Sequence, residues 1–272
     1  MKLGIALSLY DKIDQLRTNV SIIRNHWNSN TDSYISVCCN NPDMMDEISN
    51  LKIDNLVPGD DIEYVDKPSR RMRIINCIQK SVMACEAEYI VHYHSDAYAV
   101  SVEPILEIIE EMEKNQYLVA FRGKGLEYRN PKNFSGDVDD HYIVFKRSSL
   151  IERGVLDLNL SEMKKFLQVG NPETLLGFVI THMYKPSEIF HYDNMSKNKV
   201  HPSCHDDENY YGDKIRHRHM NPYNIDKERG FYHIGDSNLI FNMLSEAGVD
   251  ENNIFFKNTN SEETHINDWL NE

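Results

Sequence analysis

The sequence contains no long run of apolar residues, no internal repeat and no low-complexity tract. No apolar stretch approaches the roughly 20 residues that a membrane-spanning helix requires, so we expect no integral membrane segment. The N-terminal segment MKLGIALSLYDKID becomes charged too early for a signal peptide, and we expect no secretory leader. Apolar residues still make up 40% of the 272 residues, which predicts a packed core and argues against disorder over most of the chain.

Positive charge is scarce, with 29 Lys and Arg against 43 Asp and Glu and a net charge of −14. This balance argues against a protein that binds duplex nucleic acid, because phosphate recognition depends on clustered cations. It still allows a local basic pocket for a nucleotide. The five cysteines are odd in number and most lie inside apolar runs, which favours reduced thiols in the core of a cytoplasmic protein.

Residues 1–125 alternate strand-like and helix-like patterns. The predicted strands are residues 3–10, 34–39, 62–66, 89–93 and 117–121. Helical periodicity separates them, as in the stripe of Ile105, Ile108, Ile109 and Met112. Strands and helices in this order predict an α/β fold, a doubly wound, mostly parallel sheet with helices on both faces.

The second half of the sequence is less regular. It contains a strand at 142–145, a short helix at 148–153 closed by Gly154, and a helix that opens at Pro172. Ser237 caps a final helix, and Gly248 stands where a C-terminal glycine belongs. We expect one globular unit with a nucleotide-sugar-binding half (1–125), an irregular acceptor-side half (126–249) and a solvated acidic tail (250–272).

The most informative stretch is EYIVHYHSD, residues 88–96. A buried strand ends there in His94, Ser95 and Asp96, so that an imidazole and a carboxylate two residues apart lie on the same side. Ligands of doubly wound sheets bind at the carboxyl ends of the strands. The pair is therefore a candidate site for a divalent cation that bridges a diphosphate, or else simply a polar strand end.

Residues 88–96 resemble the strand and Asp-x-Asp motif of GT-A-fold, nucleotide-sugar-dependent glycosyltransferases, family-2-like and of the surface-polysaccharide type. The resemblance runs in order through residues 1–183. It includes the opening strands, the strand, short helix and turn of residues 142–157, and residues 171–177 in the place of an acidic motif. It implies a GT-A-like fold and a hexosyltransferase that moves a sugar from a nucleoside-diphosphate donor to a glycan or glycolipid acceptor, in polysaccharide synthesis.

Three arginines, Arg70, Arg71 and Arg73, open the helix before the motif strand. A helix N-terminus with guanidinium groups favours phosphate, although a solvated basic turn would have the same sequence. The remaining candidate donor-binding residues follow or end the predicted strands: Ser8, Tyr10, Asn40, Ser95 and Lys124. Asn40 stands where the family often has an acid, and its amide suits uracil, thymine or guanine edges.

The resemblance implies that Asp96, His94 and the later His233 hold a metal ion, with His191 as an alternative to His233. His94 replaces the first acid of the motif and brings no negative charge. Imidazole ligates Mn²⁺, whereas Mg²⁺ should bind more weakly, and metal-independent activity also remains open.

Glu173 is the candidate general base that the resemblance implies, because an ionised acid at this position would deprotonate the acceptor hydroxyl. A glutamate after proline in a first helical turn is also favoured by the helix dipole alone. Asp139 and Asp140 are the competing carboxylates. A retaining enzyme would need no such base.

Three other interpretations remain open. The chain fits a non-catalytic nucleotide- or sugar-binding module of the same fold, with His94 marking the lost chemistry. A nucleotidyltransferase normally has a basic glycine-rich loop after its first strand, which residues 7–11 lack. A zinc site is possible in the segment 201–219, though its histidines and Cys204 match no strong zinc spacing and an exposed polar loop explains them as well.

Overall fold

The computed structural model describes residues 2–9, 12–27, 31–60, 67–95, 97–123, 138–167, 172–191, 224–226, 231–233 and 237–256. Seven strands form one sheet in the order β3-β2-β1-β4-β7-β6-β8. These strands are β1 (Lys2–Leu9), β2 (Asp32–Cys39), β3 (Asn55–Pro58), β4 (Tyr89–His94), β6 (Val119–Gly123), β7 (Val138–Lys146) and β8 (Ile189–His191). Only β7 is antiparallel to its neighbours in this sheet, so the expected mostly parallel α/β fold is confirmed.

A second, antiparallel sheet has the order β5-β10-β9. Its strands are β5 (Ala97–Ala99), β9 (Asn224–Asp226) and β10 (Phe231–His233). Because β5 begins just after β4, the small sheet extends directly from the end of a central strand of the large one.

Helices cover both faces of the large sheet, as expected. The helices are α1 (Ile13–Ser21), α2 (Met45–Ser49), α3 (Lys67–Met83), α4 (Glu103–Asn115), α5 (Arg147–Glu152), α6 (Leu160–Leu167), α7 (Pro172–Met183) and α8 (Ser237–Glu246). Leu16 of α1 and Ile105 of α4 belong to the core on one face, and Ile75 of α3 and Val179 of α7 belong to the core on the other. Alternate residues of β4 face the two cores, which explains its continuous apolar sequence.

Most predicted elements are confirmed, including the stripe of α4 and the left-handed glycines Gly154 (φ 65°) and Gly248 (φ 87°). The helix through Trp27 is α1 followed by a π-helical turn, Ile22–His26. The strand predicted at 62–66 lies outside the described residues. The short strands β3, β5, β8, β9 and β10 and the helices α2 and α6 are additions to the sequence-based prediction.

The expectation of a solvated tail from residue 250 is wrong for Ile254 and Phe256, whereas Asp250, Glu251 and Asn252 are exposed. Ile254 and Phe256 are buried in the core, and the Phe255 N–H donates a hydrogen bond to Thr18 Oγ1 at 3.0 Å. The Phe256 ring lies 6.0 Å from the ring of Tyr98 in β5. Apolar side chains therefore tie this acidic segment to α1 and β5. The division at residue 125 stays a prediction.

Four cysteines, Cys38, Cys39, Cys77 and Cys85, are buried, as expected from their apolar surroundings. Cys204 lies outside the described residues. No helix in the described ranges combines the length and the hydropathy that crossing a membrane requires.

Candidate active site

The candidate site lies along one edge of the large sheet, where the parallel strands end. We call it the carboxyl edge and define it by the last residues of six strands: Leu9, Cys39, Pro58, His94, Gly123 and His191. Strand β7 begins at this edge, because it runs antiparallel and pairs Val138 with Gly123.

Ser8 and His94 are brought together by the register of β1 and β4, which pairs them directly. The Ser8 hydroxyl and His94 Nδ1 lie 3.2 Å apart in a hydrogen bond, and the Ser95 N–H donates to the Ser8 carbonyl at 3.2 Å. Ser8 and Ser95 are buried, whereas His94 is half-buried. The ring of His94 is thus oriented by a buried serine at the very end of the strand.

The turn after His94 is held by helix α1. The Asn19 side-chain amide donates to the carbonyl of Ser95 at 2.6 Å and to the carbonyl of Ala97 at 2.9 Å. Trp27 Nε1 donates to the Ala99 carbonyl at 2.8 Å. Asp96 itself lies outside the described residues, but the residues on both sides of it are fixed by Asn19.

Asn19 is not among the residues predicted from the sequence to belong to the site. In the sequence, Asn19 stands out only as a polar residue within the apolar stripe that includes Leu16, Val20 and Ile23. In the structure, its side chain is fully buried. A lone asparagine in such a stripe has no motif, and only the tertiary structure reveals what its amide contacts.

His233 arrives at the same turn from the far end of the sequence, because β10 pairs His233 with Ala97. The side chain of His233 lies outside the described part. His191 lies on β8 and pairs with Phe121 of β6. Strand β8 is three strands away from β4, which is about 14 Å at the usual spacing between strands. Of these two predicted histidines, His233 is the one whose backbone lies beside the motif.

Asn40 and the start of α3 form the other end of the edge. Asn40 Nδ2 donates to the Arg73 carbonyl at 2.6 Å, and its Oδ1 is buried without a hydrogen-bond partner among the described residues. A Cβ on Gly59 would lie 1.6 Å from that oxygen, so only glycine allows this side-chain position. Arg70 and Arg71 lie in the preceding turn of α3, and their side chains are outside the described part.

The backbone of Asp139 and Asp140, the competing carboxylates, also lies towards the carboxyl edge. Tyr142 pairs with Tyr93, so Asp139 and Asp140 continue β7 towards the level of Ser95 and beyond. Their side chains are not among those described.

Glu173 belongs to the first turn of α7, which packs against β7. The residue after this helix, Tyr184, shares a 3.2 Å hydrogen bond with Ser149, at the opposite edge of the sheet, where β7 ends. The start of α7 therefore points towards the carboxyl edge. The Glu173 side chain is outside the described part.

Two further candidates, Tyr10 and Lys124, lie outside the described residues, as does the segment 201–219. Their neighbours Leu9 and Gly123 end strands at the carboxyl edge. In the part of the chain that the structure describes, no three His, Cys, Asp or Glu side chains are grouped as metal ligands. Because Asp96 and the His233 side chain lie outside that part, the metal site stays a prediction.

The order of the strands, the antiparallel β7 and the turn-linked small sheet make up a GT-A-like, mostly parallel α/β fold. Mouse xyloside xylosyltransferase 1, in its apo form, shares this fold with a TM-score of 0.50 and 9% identity. The match covers 86% of this chain and 97% of the mouse chain.

Two bacterial structures also match. The glycosyltransferase GlyE of Streptococcus pneumoniae has a TM-score of 0.44 and 10% identity over 71% of this chain, and the chain spans 46% of its length. TarS of S. aureus, in complex with UDP-GlcNAc, has a TM-score of 0.39 and 13% identity over 57% of this chain and 48% of its own. No protein-family model and no curated protein matches the sequence.

Proposed function

We propose that the protein is a glycosyltransferase that moves a hexose-type sugar from a nucleoside-diphosphate donor to a glycan or glycolipid acceptor, in surface polysaccharide synthesis. The observation that carries the proposal is the convergence of separately predicted residues on the carboxyl edge of a GT-A-like sheet. Ser8, His94 and Ser95 contact one another there, and His233 pairs beside them.

The donor diphosphate would lie between the motif turn and the start of α3. The backbone of that helix places Arg70 and Arg71 in its first turns, where guanidinium groups and the helix dipole act together on phosphate. Asn40 bonds to the Arg73 carbonyl and so supports the same helix start.

A divalent cation, Mn²⁺ in preference to Mg²⁺, fits the chemistry of the motif. A ligating histidine usually has its second ring nitrogen bonded to a supporting group, and His94 Nδ1 bonds to Ser8. With the proton on Nδ1, the lone pair is on Nε2, and Asp96 and His233 would complete the ligand set. The cation would neutralise the diphosphate.

The transfer itself would use a carboxylate on the acceptor side. Glu173, with Asp140 as the competing group, would take the proton of the acceptor hydroxyl as its oxygen bonds to the anomeric carbon. The bond from that carbon to the phosphate oxygen breaks, and the nucleoside diphosphate leaves with the electron pair.

Thermal unfolding with UDP-, GDP-, dTDP- and CMP-sugars, each with and without Mn²⁺, tests the proposal. A donor at about 100 times its Kd stabilises by about 2.7 kcal/mol, or about 5–10 °C in Tm for this size. For the wild type, we expect the Tm to rise with the sugars of one nucleotide. In Asp96→Ala, both this rise and sugar transfer should be lost. In Glu173→Gln, the rise should be retained but turnover should be much lower.

The outcomes separate the parts of the proposal. Wild-type turnover in Glu173→Gln would refute the base assignment, and a donor shift independent of Mn²⁺ would refute the metal site. A donor shift without transfer or donor hydrolysis would favour the non-catalytic binding module. Cooperative melting with no shift for any donor would overturn the proposed function.

A further inference from the structure

Helix α1 buries three polar side chains, Thr18, Asn19 and Ser21, beside its apolar ones. Leu16, Val20 and Ile23 form the buried stripe, and Asn19 stands in that stripe with no exposed surface. Burying a primary amide costs free energy unless its groups are hydrogen-bonded, and asparagine is a poorer helix former than leucine. Sequences tend to break such local rules at functional sites.

The amide of Asn19 links the turn after β4 to the start of β5. Its nitrogen donates to the last carbonyl before Asp96 and to the first carbonyl after it, at 2.6 and 2.9 Å. The backbone around the motif carboxylate is thereby fixed on both sides from a rigid helix. A leucine here would fill the space but leave both carbonyls without this donor.

We infer that Asn19 is a positioning residue of the donor site, which fixes the backbone of Ser95 and Ala97 on either side of the motif acid. This inference rests on the proposed glycosyl transfer. Supporting residues of this kind typically change ligand affinity or activity about 10–100-fold when removed.

A neighbouring residue provides a matched control. Thr18 is equally buried in α1, donates to the Asp14 carbonyl at 2.9 Å and accepts from the Phe255 N–H at 3.0 Å. The Thr18→Val variant removes a buried polar group next to Asn19 in sequence and leaves both hydrogen bonds from Asn19 to the turn in place. Asn19→Ser keeps one donor and carries the test if Asn19→Ala does not fold.

The test compares these variants at a temperature well below each Tm, with two readouts. Hydrogen exchange followed by mass spectrometry reports on amides 93–99, and donor transfer with a Mn²⁺ titration reports on the site. We expect faster exchange in this peptide in the Asn19 variants, with about 10–100-fold lower turnover or a raised Mn²⁺ requirement. Thr18→Val should lose stability yet match the wild type in both readouts.

Wild-type exchange in the peptide, or wild-type turnover and Mn²⁺ dependence, in an Asn19 variant would overturn the inference. Equal losses in Thr18→Val and the Asn19 variants would also overturn it, because the effect would then be one of general stability. A wild type that neither binds nor turns over any donor would instead refute the proposed function and the inference with it.

Discussion

Asparagine amides hold the loops of the carboxyl edge in place at the scale of single residues. Asn19 bonds to the motif turn, and Asn40 bonds to the Arg73 carbonyl. Asn76 of α3 donates to Asp60 Oδ2 at 2.6 Å and accepts from the Asp60 N–H at 2.8 Å. Each of these amides donates a hydrogen bond to a residue outside a regular ladder, and Asn76 accepts one as well.

A substitution at Gly59 tests the role of the Asn40 amide. The φ of Gly59 is not in the left-handed region, so the requirement for glycine comes from the Asn40 oxygen that a Cβ would meet. In Gly59→Ala, Asn40 must rotate and lose its bond to Arg73, which we expect to cost about 1–3 kcal/mol in a denaturant titration.

The double variant provides the control. An Asn40→Ala background removes the contact with Oδ1 and leaves only the 3.2 Å contact with the Cα of residue 40, so Gly59→Ala should then cost less than it does in the wild type. Equal costs of Gly59→Ala in both backgrounds would show that the two residues do not interact.

The sequence predicts the residues that follow strands better than the residues that support them. His94 and Ser95 are visible because a buried strand ends abruptly in polar residues. Asn19 is not visible in the same way, because its role depends on a turn 76 residues away that only the folded chain brings near. Asn40 is predicted to read a base, and this stays a prediction, although its Nδ2 donates to the Arg73 carbonyl in a contact that the sequence does not reveal.

The segment after α8 acts as a brace at the scale of elements. Its residue Phe256 is 5% exposed and contacts Tyr98 of β5, whereas the adjacent Phe255 is 44% exposed. We expect Phe256→Ala to cost about 3–5 kcal/mol, or about 6–20 °C in Tm, because it leaves a cavity. Phe255→Ala, the matched control, should change stability by less than about 0.5 kcal/mol in calorimetry. Similar losses in the two variants would contradict this packing.

The length of an element decides how well the sequence predicts it. Helix α4 has three full turns with its apolar stripe intact, so periodicity alone identifies it. Strands β5 and β10 have three residues each, which is too short for a periodic signal. Their existence follows from pairing with each other, a long-range contact that no local pattern encodes.

At the scale of the whole molecule, the buried cysteine thiols report on how tightly the core is closed to solvent. Burial raises the pKa of Cys85 to about 12 and also holds the pKa of Cys77 well above its usual value. Near pH 8, only about one Cys85 thiol in ten thousand is then ionised.

Because Cys38, Cys39, Cys77 and Cys85 are all buried, we expect iodoacetamide to leave them unmodified in the native protein near pH 8, as followed by mass spectrometry. The same reagent should modify all four in guanidinium chloride, which serves as the control. Rapid native alkylation of any of them would mean that the core opens far more often than its packing implies.

The pairing of β5 with β10 joins a strand from the first half of the chain to residues near its end. During synthesis, the motif strand β4 can enter the sheet early, but β5 cannot pair until β10 has left the ribosome. The brace formed by Ile254 and Phe256 is made later still. In a nascent chain, the strands β1, β2 and β4 are therefore available for pairing well before the turn between β4 and β5 can be completed by β10.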